Sequence, residues 1–163
     1  MNSNDPRYKL YLGVDTHLEL QVATPINELG QVIKSKSFNA DLACYRELLA
    51  WCKSYGFLQK AGIEGTGSYG AELTKFLTKN GIDVYEVLRP NRIEIRLKGK
   101  SDVIDSENSA RSVLSGEAEV IPKSHTGSVE SLRNVLITRN SAVKARTQVM
   151  NQIPALLVSG PMN

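Results

Sequence analysis

Three β-prone runs crowd between Tyr8 and Phe38, and their spacing leaves room only for antiparallel neighbours. They read YKLYLGVD (Tyr8–Asp15), LELQVATP (Leu18–Pro25) and QVIKSKSF (Gln31–Phe38). A parallel crossover needs about a dozen residues or more, and far fewer separate these runs. A meander follows. Leu18, Leu20 and Val22 alternate with polar neighbours, as expected of a half-buried strand. INELG reads as a turn in which Gly30 is free to take positive φ.

Helical spacing then takes over. Leu42, Tyr45, Leu48, Leu49 and Cys52 recur on one face, behind a cap at Asn39 or Asp41, and the run stops at Gly56. LQKAGIEG is a fourth strand ending at Glu64. Ser68 is a candidate cap for a helix through YGAELTKFLTKN, with Leu73, Phe76 and Leu77 inward and Gly81 at its end. IDVYEVL is a fifth strand. RPNRIEIRLKGK is a basic connector, and SDVIDSENSARSVLSG is a helix between a capping Ser101 and a terminating Gly116. The order is strand-strand-strand-helix-strand-helix-strand-helix. Strands reached through helices lie parallel to the first. This predicts an α/β fold with a five-stranded mixed sheet, in the ribonuclease-H-like order.

Beyond His125 the pattern changes. Val129, Leu132, Leu136, Val143, Val149, Ile153 and Leu156 fall near helical spacing, in one long helix or two, with Arg133, Arg139, Lys144 and Arg146 on the polar side. Such a stripe fits a core or a helix–helix contact. It runs on to SGPMN in mid-pattern, so a piece of a longer protein is expected. The expected division is a flexible 1–7, a domain over 8–120 and a helical, coiled-coil-like extension over 121–163.

The totals exclude little. A chain of 163 residues suffices for one domain with a core and an added element. A net charge of +3 permits a nucleic-acid partner without requiring one. Cys44 and Cys52 share one expected helix without a metal-binding spacing, so both read as reduced thiols. The polar N-terminus lacks a signal-peptide core, and no apolar run approaches the roughly 20 residues of a membrane span. A cytoplasmic protein with no membrane partner is expected.

The chemistry lies in the acids. Asp15 ends the first strand and Glu64 ends the fourth, which such a sheet sets beside the first. Asp102 and Asp105 share one face at the start of the last helix. Taken singly, Asp15 fits a turn, Asp102 suits a helix N-terminus, and Asp105 fits a surface. Together they predict four carboxylates at one sheet edge, whose repulsion a divalent cation would relieve. Arg92, Arg96, Lys98 and Lys100 lie just before Asp102, where a phosphodiester backbone would be held; a solvated loop is the plainer reading. His17 stands close to Asp15, either touching substrate or as a half-exposed turn residue.

GIEGTGSYG carries a competing signal. Gly65, Gly67 and Gly70 spell the dinucleotide fingerprint G-x-G-x-x-G, and Asp83 and Glu86 lie about 20 residues on, where a ribose-binding acid belongs. Yet this fingerprint follows three strands and a helix, and it leaves Asp15, Asp102 and Asp105 without a role. The run from Leu12 to Ile33 also looks like the first phosphate motif of actin-like sugar kinases, a fold with a duplicated lobe that is not visible here. In the preferred reading the glycines let the chain turn beside Glu64, and Tyr69 either packs or contacts nucleic acid.

YLGVDTH, AGIEGTGSYGAELTKFLTKNGIDVYEVLRPN and GKSDVIDSENSARSVLSG resemble the N-terminal, RuvC-like domain of the DEDD transposases. These are insertion-sequence recombinases of the IS-one-ten type, related to the Piv invertases. The matched motif residues are Asp15, then Glu64 with Thr66, Gly67, Tyr69 and Gly70, then Lys100, Ser101, Asp102 and Asp105. Ser106 stands where the family usually has Ala. The resemblance implies DNA recombination guided by a structured RNA. It also implies a tetrad of Asp15, Glu64, Asp102 and Asp105 binding Mg²⁺, with Mn²⁺ as a substitute. A serine nucleophile in a further C-terminal domain, supplied by another subunit, would join that site. The tail would begin a coiled-coil linker through which the protein self-associates.

Overall fold

A computed structural model of the chain describes residues 8–88, 101–123 and 127–160. The chain divides into two compact units, one ending at Ser124 and the other beginning at His125. In the first, β1 (Lys9–Thr16), β2 (Leu20–Asn27) and β3 (Lys36–Asn39) form the meander. They are followed by α1 (Leu42–Lys53), β4 (Phe57–Glu64), α2 (Ala71–Lys79), β5 (Asp83–Val87) and α3 (Asp102–Ser115). The sheet order is β3-β2-β1-β4-β5, with β1 antiparallel to β2 and parallel to β4, and β5 parallel to β4. This is the ribonuclease-H-like α/β sheet expected from the strand spacing.

The two faces are built differently. Leu10, Leu12 and Val14 of β1 and Ala61 and Ile63 of β4 meet Tyr45, Leu48 and Cys52 of α1 and Leu73 and Leu77 of α2 in one apolar core. Burying each such large side chain is worth about 1.5–3 kcal/mol. The opposite face carries Gly13 and Gly62, directly paired across β1 and β4. There α3 lies against bare backbone. A Cβ added to Gly13 would stand 1.9 Å from the Ser106 carbonyl oxygen and 2.3 Å from the Ala110 nitrogen, and one on Gly62 would stand 2.6 Å from the Ser109 carbonyl oxygen. The buried stripe of α3 is accordingly small: Ser106, Ser109, Ala110 and Val113.

Hydroxyls pin this contact. Thr24 Oγ1, opposite Gly13 on β2, lies 2.7 Å from Ser106 Oγ and 2.8 Å from Ser35 Oγ. Ser106 Oγ donates to the Val103 carbonyl at 2.9 Å. One consistent direction of donation therefore runs from Ser35 through Thr24 and Ser106 to the helix backbone.

Several local expectations need correction. The third strand occupies only Lys36–Asn39, while Val32 makes one isolated bridge to Ile26. Pro25 explains the gap: its carbonyl accepts from Ile33 N, but it has no N–H to return. β2 is not half-buried. From Gln21 to Ile26 both its faces are covered, and Leu18 and Leu20 are exposed. Ser68 does not cap α2. Gly70 stands at the cap position, and the Ser68 hydroxyl donates to the Gly65 carbonyl. Ser101 holds the α3 cap position with extended backbone, but its side chain makes no cap bond. Asp41, by contrast, caps α1 by accepting from Cys44 N at 2.8 Å.

The second unit is one helix, α4 (Ser128–Ser159), about 48 Å long at 1.5 Å per residue. No residue of it is buried. Val129, Leu136, Val143, Met150 and Leu157 recur every seventh residue and are all exposed. A strict seven-residue apolar column is the coiled-coil period. The parallel column three positions on reads Leu132, Arg139, Arg146 and Ile153.

Gly13→Ala is expected to destabilise the fold by at least about 3 kcal/mol, because the new methyl meets backbone that cannot rotate away. Gly116→Ala, at φ +83° in open space, should cost only about 1–2 kcal/mol for its left-handed conformation. Urea unfolding of the two variants compares them directly; equal losses would show that α3 does not rest on Gly13.

Candidate metal and nucleic-acid site

Strand alternation places the first acids. With Leu12 and Val14 turned to the apolar core, Gly13 and Asp15 fall on the α3 face; in β4, Gly62 and Glu64 do the same. Both strands thus carry glycine, one apolar residue and an acid at or next to their last residue: Gly13-Val14-Asp15 in β1 and Gly62-Ile63-Glu64 in β4. Their register pairs Gly13 with Gly62 and Val14 with Ile63, which brings the acids to the same level on neighbouring strands. Thr16 Oγ1 donates to the Glu64 carbonyl at 2.7 Å and ties the two strand ends together.

The helix supplies the other two acids. Asp102 lies one turn before Ser106, and Asp105 one turn before Ser109, so the close contact at Gly13 and Gly62 sets the position of both. Each also sits in the first turn of α3, where the helix dipole favours negative charge.

Asp15 forms the floor of the site, only 3% exposed. Its Oδ2 lies 3.1 Å from His17 Nε2, which in turn lies 3.6 Å from Asp102 Oδ1. One donor atom from each of these three residues lies within 4.8 Å of the others. Burial pushes the Asp15 carboxyl above its ordinary 3.8; nearby His17 opposes that rise, and the charges of Asp102 and Asp105 add to it. The rim is open, with side-chain exposures of 39% at His17 and 45% at Asp102. Glu64 is 6% exposed at the end of β4. The structure therefore brings Asp15 and Asp102 into one close cluster. Asp105 stands near enough for its charge to act on Asp15, and Glu64 stands on the adjoining strand. The clustered histidine was the residue least legible in advance. The glycine two places before each strand-end acid is the signal that marks this edge.

The basic set Arg92, Arg96, Lys98 and Lys100 lies outside the described residues. Tyr69 is 53% exposed in the turn after Glu64. Three amides of this turn are spent internally. Ser68 N and Gly70 N both donate to the Gly65 carbonyl, and Ala71 N donates to the Ser68 carbonyl. The antiparallel β1–β2–β3 meander also departs from a doubly wound dinucleotide-binding sheet. Among the described residues, no helix is long and apolar enough to cross a membrane.

A ribonuclease-H-like sheet with acids at the ends of its two central strands and on the adjoining helix defines a nucleic-acid-processing domain. The family model of the DEDD transposases of the IS110 type, described as a transposase, matches residues 12–160. The chain belongs to this family, whose members cut and rejoin DNA. A search among curated proteins gives no significant match.

The Asp15 shift predicts a stability effect. Between its unfolded and folded pKa values the folded state holds more protons than the unfolded one, so stability falls as pH rises through that window. Asp15→Asn removes this loss. In EDTA near neutral pH the variant should melt about 2–4 °C above the parent protein. The two should converge in acid below the ordinary carboxylate range. Melting curves that stay parallel at every pH would show that Asp15 carries no such strain.

Proposed function

We propose that this chain is the metal-binding catalytic domain of an RNA-guided DNA transposase. Asp15, Glu64, Asp102 and Asp105 hold Mg²⁺, for which Mn²⁺ substitutes. The observation that carries the reading is Asp15 itself: a carboxylate almost removed from water, with Asp102 of a separate helix in the same cluster and Asp105 near enough for its charge to act on it. A fold does not assemble like charges in this way for stability, whereas hard divalent cations take such oxygen donors. A bound cation would offset the carboxylate charge and polarise a phosphodiester.

The chain's own residues have distinct tasks. Asp15 and Glu64 are held by the sheet, so their spacing changes little. Asp102 and Asp105 move only as α3 moves. Tyr69, Arg92, Arg96, Lys98 and Lys100 contact the nucleic acid, the cations holding phosphates. A serine from a C-terminal domain of another subunit completes the reaction centre, and a structured RNA selects the sites. The support for these last two roles is membership of the family. The protein self-associates through α4, whose exposed seven-residue column supports the reading.

Asp15→Ala, Glu64→Ala, Asp102→Ala and Asp105→Ala should each lower recombination at least about a hundredfold, the scale of losing a preorganised electrostatic group. The assay is transposition with the serine domain and guide RNA present, alongside circular dichroism to verify folding. Undiminished recombination in a folded Asp15→Ala variant would refute the metal role.

Leu136→Asp, at the middle of the seven-residue column, should shift the protein toward monomer in analytical ultracentrifugation while leaving the melting of the sheet domain unchanged. An identical sedimentation profile would exclude α4 as the contact.

A further inference from the structure

The four acids leave one side chain at the site without a task. His17 is the first residue beyond β1, in the turn leading to β2, where its backbone N–H donates to the Leu20 carbonyl at 3.0 Å. That bond fixes the turn without help from the imidazole. Yet Nε2 approaches carboxylates from two separate elements, Asp15 at 3.1 Å and Asp102 at 3.6 Å. A turn histidine satisfied by a hydrogen bond needs only the first of these. The second contact is unexplained by local structure, because Asp102 arrives on α3 from far along the chain.

The spacing has another meaning. Donors in adjacent positions of an octahedral ion, with bonds of about 2.1 Å, stand about 3.0 Å apart, and opposite donors stand about 4.2 Å apart. The Asp15–His17 separation of 3.1 Å is that of adjacent ligands, and the His17–Asp102 separation of 3.6 Å falls between adjacent and opposite. One donor atom from each residue lies within 4.8 Å of the others, so small side-chain rotations would bring all three to one centre. We propose that His17 Nε2 is a direct ligand of the divalent cation together with Asp15 and Asp102, so that the site has mixed nitrogen and oxygen donors. This rests on the reading that these carboxylates hold a cation. An imidazole ligand favours first-row transition metals over Mg²⁺, so the site discriminates toward Mn²⁺ more than four carboxylates would.

Pulsed electron paramagnetic resonance of the Mn²⁺-loaded chain tests the proposal without any activity readout. The parent protein should show the nitrogen coupling of a directly bound imidazole. His17→Gln should lose that coupling and weaken Mn²⁺ binding by at least about tenfold, the loss that follows even from removing an outer partner. Its Mg²⁺ affinity should fall by less. Bound Mn²⁺ without nitrogen coupling in the parent protein would overturn the histidine ligand and leave the carboxylate site standing. Coupling that persists in His17→Gln would place the nitrogen elsewhere and also overturn it. Failure of the parent protein to bind millimolar Mn²⁺ would overturn both readings.

Discussion

The contact between α3 and the glycine pair on β1 and β4 is the constraint on which the rest of this domain depends. A helix resting on ordinary strand side chains stands clear of the sheet by the depth of those side chains. Here Gly13 and Gly62 remove that depth, and the Ser106 carbonyl meets the strand backbone directly. The first turn of α3 is thereby lowered to the level at which Asp15 leaves β1. Any side chain larger than hydrogen at Gly13 would lift Asp102 away from Asp15. The same two glycines explain the small residues facing them, since Ser106, Ser109 and Ala110 have nowhere to place more atoms. The Ser35–Thr24–Ser106 chain then stops the helix from sliding, at a position where an apolar residue could fill space but not fix direction.

What this precision serves is electrostatically costly. Asp15 loses most of its water, and two acids of α3 act on it from one side. The α3 dipole offsets part of the repulsion at Asp102 and Asp105, and His17 offsets part at Asp15. The apolar core on the opposite face is the reserve against which this strain is held. The division of labour between faces follows from strand alternation alone: Leu12 and Val14 go one way, Gly13 and Asp15 the other.

Much of this was legible in the residues. Strand order followed from spacing, because a connection too short for a crossover leaves only the antiparallel choice. The acids could be placed because each stood at the end of an element. Other features depended on what no local pattern encodes. The shortened β3 is a consequence of Pro25 on the neighbouring strand, a missing donor that matters only once β2 and β3 are paired. Leu18 and Leu20 suggested a half-buried β2, yet the strand is covered on both faces from Gln21 onward, because α3 lies over the side that alternation left to solvent. Ser68 looked like a cap, but the Gly65 carbonyl draws its hydroxyl and two amides into the turn. His17 was legible only as a neighbour of Asp15, since its second contact requires α3 to be in place.

The seven-residue column of α4 extends the same logic to a surface. The apolar column at Val129, Leu136, Val143, Met150 and Leu157 is exposed and has the coiled-coil period, and the adjacent column carries Arg139 and Arg146. Two such helices packed parallel and in register would set these cations beside their own copies, where like charges oppose association. An acidic or anionic partner, or an offset between copies, relieves that opposition. In the proposed self-association, charge in the adjacent column would act as a filter on geometry and the apolar column would provide the attraction. The carboxylates at the sheet edge pose a related problem, because there like charges stand close together and a counter-charge would relieve their repulsion.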